Sequence, residues 1–161
     1  MDSFQLKDVL AILEMDRGRF NEWVSRGLVQ AEHWLKKGSR IHKEYSKIDI
    51  YAIAIFKALL DDAQLPRENA AQVSKMWRSI SLENGLFTQP LFLIREKELL
   101  TIIQPATPSQ AFKDGGSDLV FNVSVLSNIE YLQSNSKWRF MFVVNTGQII
   151  DETNARIALI F

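Results

Sequence analysis

The chain has 161 residues, 47% apolar and 24% charged, with 19 basic and 19 acidic side chains and no formal net charge. That is the composition of a globular protein with room for one sizeable core or two small domains, and not of a disordered chain or a polycation. The absence of cysteine excludes disulfides, thiolate metal sites and cysteine nucleophiles. His33 and His42 have no partner pattern for zinc. The N-terminal residues carry no basic region followed by an apolar stretch, and no apolar run approaches the roughly 20 residues a membrane span needs. A soluble cytoplasmic protein without a cofactor is the expectation.

Residues 6–28 set the organisation. Leu6, Val9, Leu10 and Leu13 fall at helical spacing and predict a short helix with one inward face. Phe20, Trp23, Val24 and Leu28 repeat that spacing beyond a break at residues 16–18. Asp16 can cap the second helix, because its carboxylate can accept from a first-turn N–H. Gly27 stands where a helix commonly ends. Two short helices and a tight turn outline a helix-turn-helix. The second helix carries Arg17, Arg19, Asn21 and Arg26 at or near its polar side. Arginine can fork onto guanine or phosphate, and asparagine can pair with adenine.

Residues 29–35 and 41–45 predict two strands around a turn at 36–39, a hairpin with a basic tip. Lys36, Lys37, Ser39, Arg40 and Lys43 are its candidates for gripping a DNA backbone, a contact that positions without reading sequence. From Arg17 to Lys47 there are eight basic and three acidic residues, a local excess of five on a neutral chain. Such a patch is the footprint of a nucleic-acid reader. Ser46 and Asp49 predict a capping box opening a mostly buried helix over 48–63. Pro66 breaks the chain into a further helix over 67–80, with Ala70, Val73, Met76, Trp77 and Ile80 on its apolar face.

In this order, the two helices ending in Gly27-Leu28, the basic hairpin, Tyr45-Ser46 opening an apolar helix and the Leu65-Pro66 break resemble the MerR-type winged helix-turn-helix over about residues 4–80. The resemblance implies a DNA-binding domain whose wing arginine corresponds to Arg40. It departs from the family at Asn21, where the family typically carries arginine ahead of an aromatic, here Trp23. It departs again after residue 80, where no long coiled-coil helix follows.

Residues 81–90 read as a linker, with Asn84-Gly85 and Pro90 as turn signals. Beyond it, residues 91–104 read as a hairpin, with a helix as the alternative given their Leu, Glu and Lys, 105–116 as a loop, 119–123 as a strand and 126–135 as a short helix capped by Ser124. Residues 138–145 predict another strand, 146–148 a turn and 149–150 a further strand. The apolar end, 155–161, is expected to be buried, either in the second core or against a partner chain. The fold class is therefore α+β: a winged helix-turn-helix over 1–80, then a small α+β domain over 91–161 for dimerisation or effector capture. No phosphate-binding glycine loop is present, and no histidine follows residue 42. Asp114, Asp118, Asp151 and Glu152 lack the spacing of a calcium loop. An enzyme is not expected.

These features lead to a transcriptional regulator that binds double-stranded DNA as a homodimer. Arg19 and Asn21 are the base readers, Arg17 and Arg26 hold phosphate, and the wing grips the flanking backbone. The alternative is a protein-interaction module on the same scaffold, since fold does not fix function. Whether the second domain takes a small-molecule effector, a partner or only its own copy is left open by the sequence.

Overall fold

A computed structural model describes residues 3–30, 33–37, 40–88, 91–96, 99–103 and 140–160. The chain is α+β and divides into two compact units, Met1–Phe87 with Gln148–Phe161, and Thr88–Gly147.

The first unit opens with strand β1 (Ser3–Gln5) and helix α1 (Leu6–Ile12). Asp8 accepts from the Gln5 N–H at 3.0 Å and satisfies one orphan donor of the first turn. Val9, Ile12 and Leu13 are the buried face of this segment. Leu6 and Leu10 are only half-buried, so the inward stripe is rotated towards Ile12 from the predicted one. The chain reverses at residues 13–16, through Glu14 at φ 48°, and not at 16–18. Met15 N–H donates to Leu10 O at 3.0 Å, which closes the end of α1 and lets Arg17 begin the next helix.

Helix α2 (Arg17–Ser25) is capped as expected, with Asp16 accepting from Gly18 N–H at 2.7 Å and Arg19 N–H at 3.1 Å. A Cβ on Gly18 would lie 2.9 Å from that carboxylate oxygen, so glycine gives the cap its close approach. Gly27 ends the turn at φ 67°, and Lys75 donates to its carbonyl at 2.8 Å. A cation at a helix C-terminus complements the orphan carbonyls there.

Strands β2 (His33–Lys37) and β3 (Arg40–Ser46) pair antiparallel, and β1 adds to the other edge of β3, giving the order β1-β3-β2. The first strand starts at His33 and not at residue 29. Val29 is buried at 6% exposure but lies before the ladder, where apolar content alone did not separate a core loop from a strand.

Helix α3 (Lys47–Asp61) starts with the predicted capping box. Ser46 Oγ accepts from Asp49 N–H at 3.2 Å, and Asp49 accepts from Ser46 N–H at 2.9 Å. Residues 49–56 and Leu59 are all buried. Helix α4 (Arg67–Asn84) follows with Pro66 at its N-cap and reaches into the expected linker. Its Ser74 hydroxyl donates to Ala52 O at 2.7 Å, and Arg78 Nε donates to Asp49 at 2.7 Å. Asp49 is fully buried, so this charge-assisted contact supplies the partner that a carboxylate needs away from water.

The last helix, α5 (Thr146–Ile160), replaces the turn and strand expected at 146–150. Ile150, Thr153 and Ile157 are buried and recur at helical spacing. Two adjacent β-branched residues suggested a strand because the window was too short to show that period. From Gln148 onward α5 belongs to the first unit, and Asn154 accepts from the Tyr51 hydroxyl on α3 at 2.5 Å. Of the terminus, Ile157 is buried against the first unit and not in a second core, while Leu159 is 86% and Ile160 41% exposed within this chain.

The second unit holds strands β4 (Leu91–Glu96), β5 (Leu99–Ile103) and β6 (Phe140–Val144), antiparallel in the order β5-β4-β6. The hairpin expected over 91–104 and the strand over 138–145 correspond to these. The loop, strand and helix expected between 105 and 135 lie outside the described residues. Among the described residues, no helix is long and apolar enough to cross a membrane.

Three stability measurements follow from this packing. Asp49→Ala leaves the half-buried Arg78 and the Ser46 N–H without their carboxylate and should destabilise by about 3 kcal/mol in urea unfolding. Gly27→Ala, which meets no atom within 4 Å but keeps a positive φ, should cost only about 1 kcal/mol. The Tyr45 hydroxyl is pushed up to about 12 by burial and then by the Asp49 charge. Its folded value lies above the unfolded one, so its contribution is complete below pH 10 and lost as pH rises towards 12. The stability of the native chain should therefore fall more steeply above pH 10 than that of Tyr45→Phe.

Candidate nucleic-acid interface

The inner face of α2 is fixed by aromatic packing. Phe20 meets Tyr45 of β3 edge-on with centroids 5.8 Å apart, and Trp23 meets Phe56 of α3 at 4.7 Å. Phe20, Trp23 and Tyr45 are each 1% exposed. Edge-to-face pairs favour such angles through the ring quadrupole and hold a helix at a set rotation. With Phe20 and Trp23 turned inward, Arg17, Arg19, Asn21 and Arg26 all come out on the solvent side. Each of the four predicted residues of α2 is thus exposed, Arg17 and Asn21 on one flank of the helix and Arg19 and Arg26 on the other.

They do not share one electrostatic state. Among the described residues, Arg17 and Asn21 make no side-chain hydrogen bond or ion pair. Arg26 lies 3.3 Å from Glu22 one turn back, and Glu22 also accepts from Arg67 of α4 at 2.7 Å. Arg19 is held twice. Its guanidinium forks onto Asp61, the last residue of α3, and lies 4.9 Å from the centre of the Trp23 ring. Arginine suits this combination, since a planar cation can stack on an aromatic face while its edge pairs with a carboxylate. Lys57 approaches the same carboxylate at 3.8 Å. The first turn of α2 contains no acidic residue. The Asp16 carboxylate caps that end of the helix and Asp61 balances Arg19, which leaves Arg17 as the cation of the first turn without a side-chain partner among the described residues.

In the hairpin, Lys36 stands opposite Ile41 and Lys37 opposite Arg40, while Lys43 is opposite Trp34. Lys36, Lys37 and Arg40 are therefore residues of the strands, and only residues 38–39 separate them. Ser39 lies outside the described residues. Lys43 is half-buried.

Sequence reasoning missed three members of this surface. Arg67 extends the basic face from α4, Glu22 binds two of its cations, and Asp61 binds Arg19 from 42 residues away. Only Glu22 and Arg26, one helical turn apart, were within reach of a local spacing rule. Asp61 also lines a shallow cleft of about 130 Å³ between α3 and α5, with Leu13, Ala54 and Ile149 among its apolar walls. Among the described residues no group of acidic side chains and histidines could hold a metal ion. No protein-family model matches the chain, and no curated protein matches it.

Proposed function

We propose that this chain is a DNA-binding regulator in which α1 and α2 form a helix-turn-helix and the β2–β3 hairpin acts as its wing. Helix α2 enters the major groove, and the hairpin lies on the adjoining backbone. The observation that carries the reading is the solvent-exposed polar surface of α2, which runs down both flanks of its aromatic anchor. Phe20 and Trp23 anchor its back, while Arg17, Arg19, Asn21 and Arg26 face solvent. Phe20 packs on Tyr45 of β3, which ties that face to the strand leading from Arg40. Asn21 is the open base reader, since a side-chain amide can pair bidentately with adenine. Arg17, exposed beside the Asp16 cap, is the phosphate contact, through its guanidinium. Lys36, Lys37, Ser39, Arg40 and Lys43 supply the wing. One module of this size covers little DNA, so useful affinity calls for two copies on two half-sites. A homodimer belongs to the proposal for that reason.

A second reading, a protein-interaction module, draws on one observation. Arg19 and Arg26 are already paired with Asp61 and Glu22, which lowers the positive potential of α2. The two readings part on salt dependence, because phosphate contacts release counterions and protein contacts need not.

Lys37→Glu combined with Arg40→Glu should weaken binding to random-sequence duplexes by about ten- to a hundredfold near 0.1 M salt. The slope of log affinity against log salt should become shallower by about 2, one counterion for each cation removed. A salt titration by fluorescence anisotropy measures both. Unchanged affinity and slope would remove the wing, and no binding by the native chain would favour the interaction module.

A further inference from the structure

We infer that Asp61 masks Arg19, so that the native chain reads bases through Asn21 and withholds an arginine–guanine contact until the Asp61 charge is removed. The inference rests on the DNA-binding reading and names its specificity.

Arg19 is at the third position of α2, among the N-terminal residues of a groove-entering helix that reach base edges. Both terminal nitrogens of its guanidinium face the two oxygens of Asp61. That end-on fork is one a guanine O6/N7 pair would use. While the pair is closed, the fork is occupied and its charge is balanced. The Trp23 ring beneath the guanidinium, 4.9 Å to its centre, holds the closed arrangement from a second side. The side chains of Arg19 and Asp61 are 42% and 34% exposed, so the pair lies at the surface and can open. Asp61 also sets a carboxylate on the side of the molecule that faces phosphate, and like charges repel there.

Asp61 has no evident role in stability that would require this placement. It is the last residue of α3, where an acidic side chain opposes the helix dipole. Its partners are Arg19 and, at 3.8 Å, Lys57. Neutralising it should leave the fold intact and free both cations, so the test must separate the two.

The full chain and the variants Asp61→Asn, Arg19→Ala and the double variant are compared on random-sequence duplexes across a salt series. Bound duplexes are then selected from a random pool for each protein, with thermal melts confirming folding. Asp61→Asn should bind about three- to tenfold more tightly, with a salt slope steeper by about 1 and a guanine preference absent from the native selection. Arg19→Ala leaves the Asp61 charge unbalanced and should weaken binding about two- to fivefold without changing which bases are selected, and the double variant should return to near native affinity without the guanine preference of Asp61→Asn. Weaker binding by Asp61→Asn, a guanine preference in the native selection that Arg19→Ala abolishes, or a gain that survives in the double variant would overturn the inference. In the last case Lys57, or net charge alone, would be responsible. If the native chain binds with a salt slope but Asp61→Asn matches it, only the masking fails. If neither protein binds duplex DNA, the DNA-binding reading fails and the masking with it.

Discussion

The carboxylate of Asp49 joins the parts on which the first unit depends. It accepts from the backbone of Ser46, where β3 ends, and from Arg78 near the middle of α4, while it sits in the first turn of α3. One fully buried charge thus fixes where the hairpin strand stops, where the central helix starts and how α4 crosses it. A carboxylate at that depth is tolerable only with such partners. Tyr45, the last strand residue before the box, takes its raised pKa partly from the same charge and presents its ring to Phe20 of α2. The orientation of the exposed α2 surface is therefore set, through two contacts, by a group that never meets solvent.

That chain of contacts separates structure from surface chemistry within a nine-residue helix. The aromatic residues of α2 are spent on β3 and α3, and its charged residues remain outside. Their pairing is uneven. Arg17 and Asn21 have no side-chain partner among the described residues, whereas Arg19 and Arg26 are balanced by acids. A surface built this way differs from a uniform basic patch. Its potential can be raised by removing an acid as well as by adding a base, which places Asp61 and Glu22 among the residues that set it.

Features encoded within about four residues were legible in the sequence. The Asp16 cap, the Gly27 terminus and the Ser46–Asp49 box were read correctly because cap geometry is local. The burial of α3 followed from its apolar residues all round, the hairpin expected over 29–45 from a basic glycine-containing turn between two strand-like runs, and the one over 91–104 from two apolar runs about a charged break, where a helix was the alternative. The turn at residues 13–16 was misplaced because Glu14 adopts a positive φ that no residue type there advertised. Helix α5 was missed because Ile149-Ile150 looked like a strand, and its return to the first unit depends on partners such as Tyr51, 103 residues away. The Arg78–Asp49 and Arg19–Asp61 pairs were out of reach for the same reason. Arg19 could be named as a candidate, but its engagement could not. The charged hairpin and helix were visible as composition, and what they bind is carried by proposal.

The most direct test of the central claim is a map of backbone amide shifts in the labelled chain on titration with a random-sequence duplex. The account predicts shifts concentrated at residues 16–26 and 35–43, lost together as salt is raised. Shifts confined to other surfaces, or none at low salt, would contradict it.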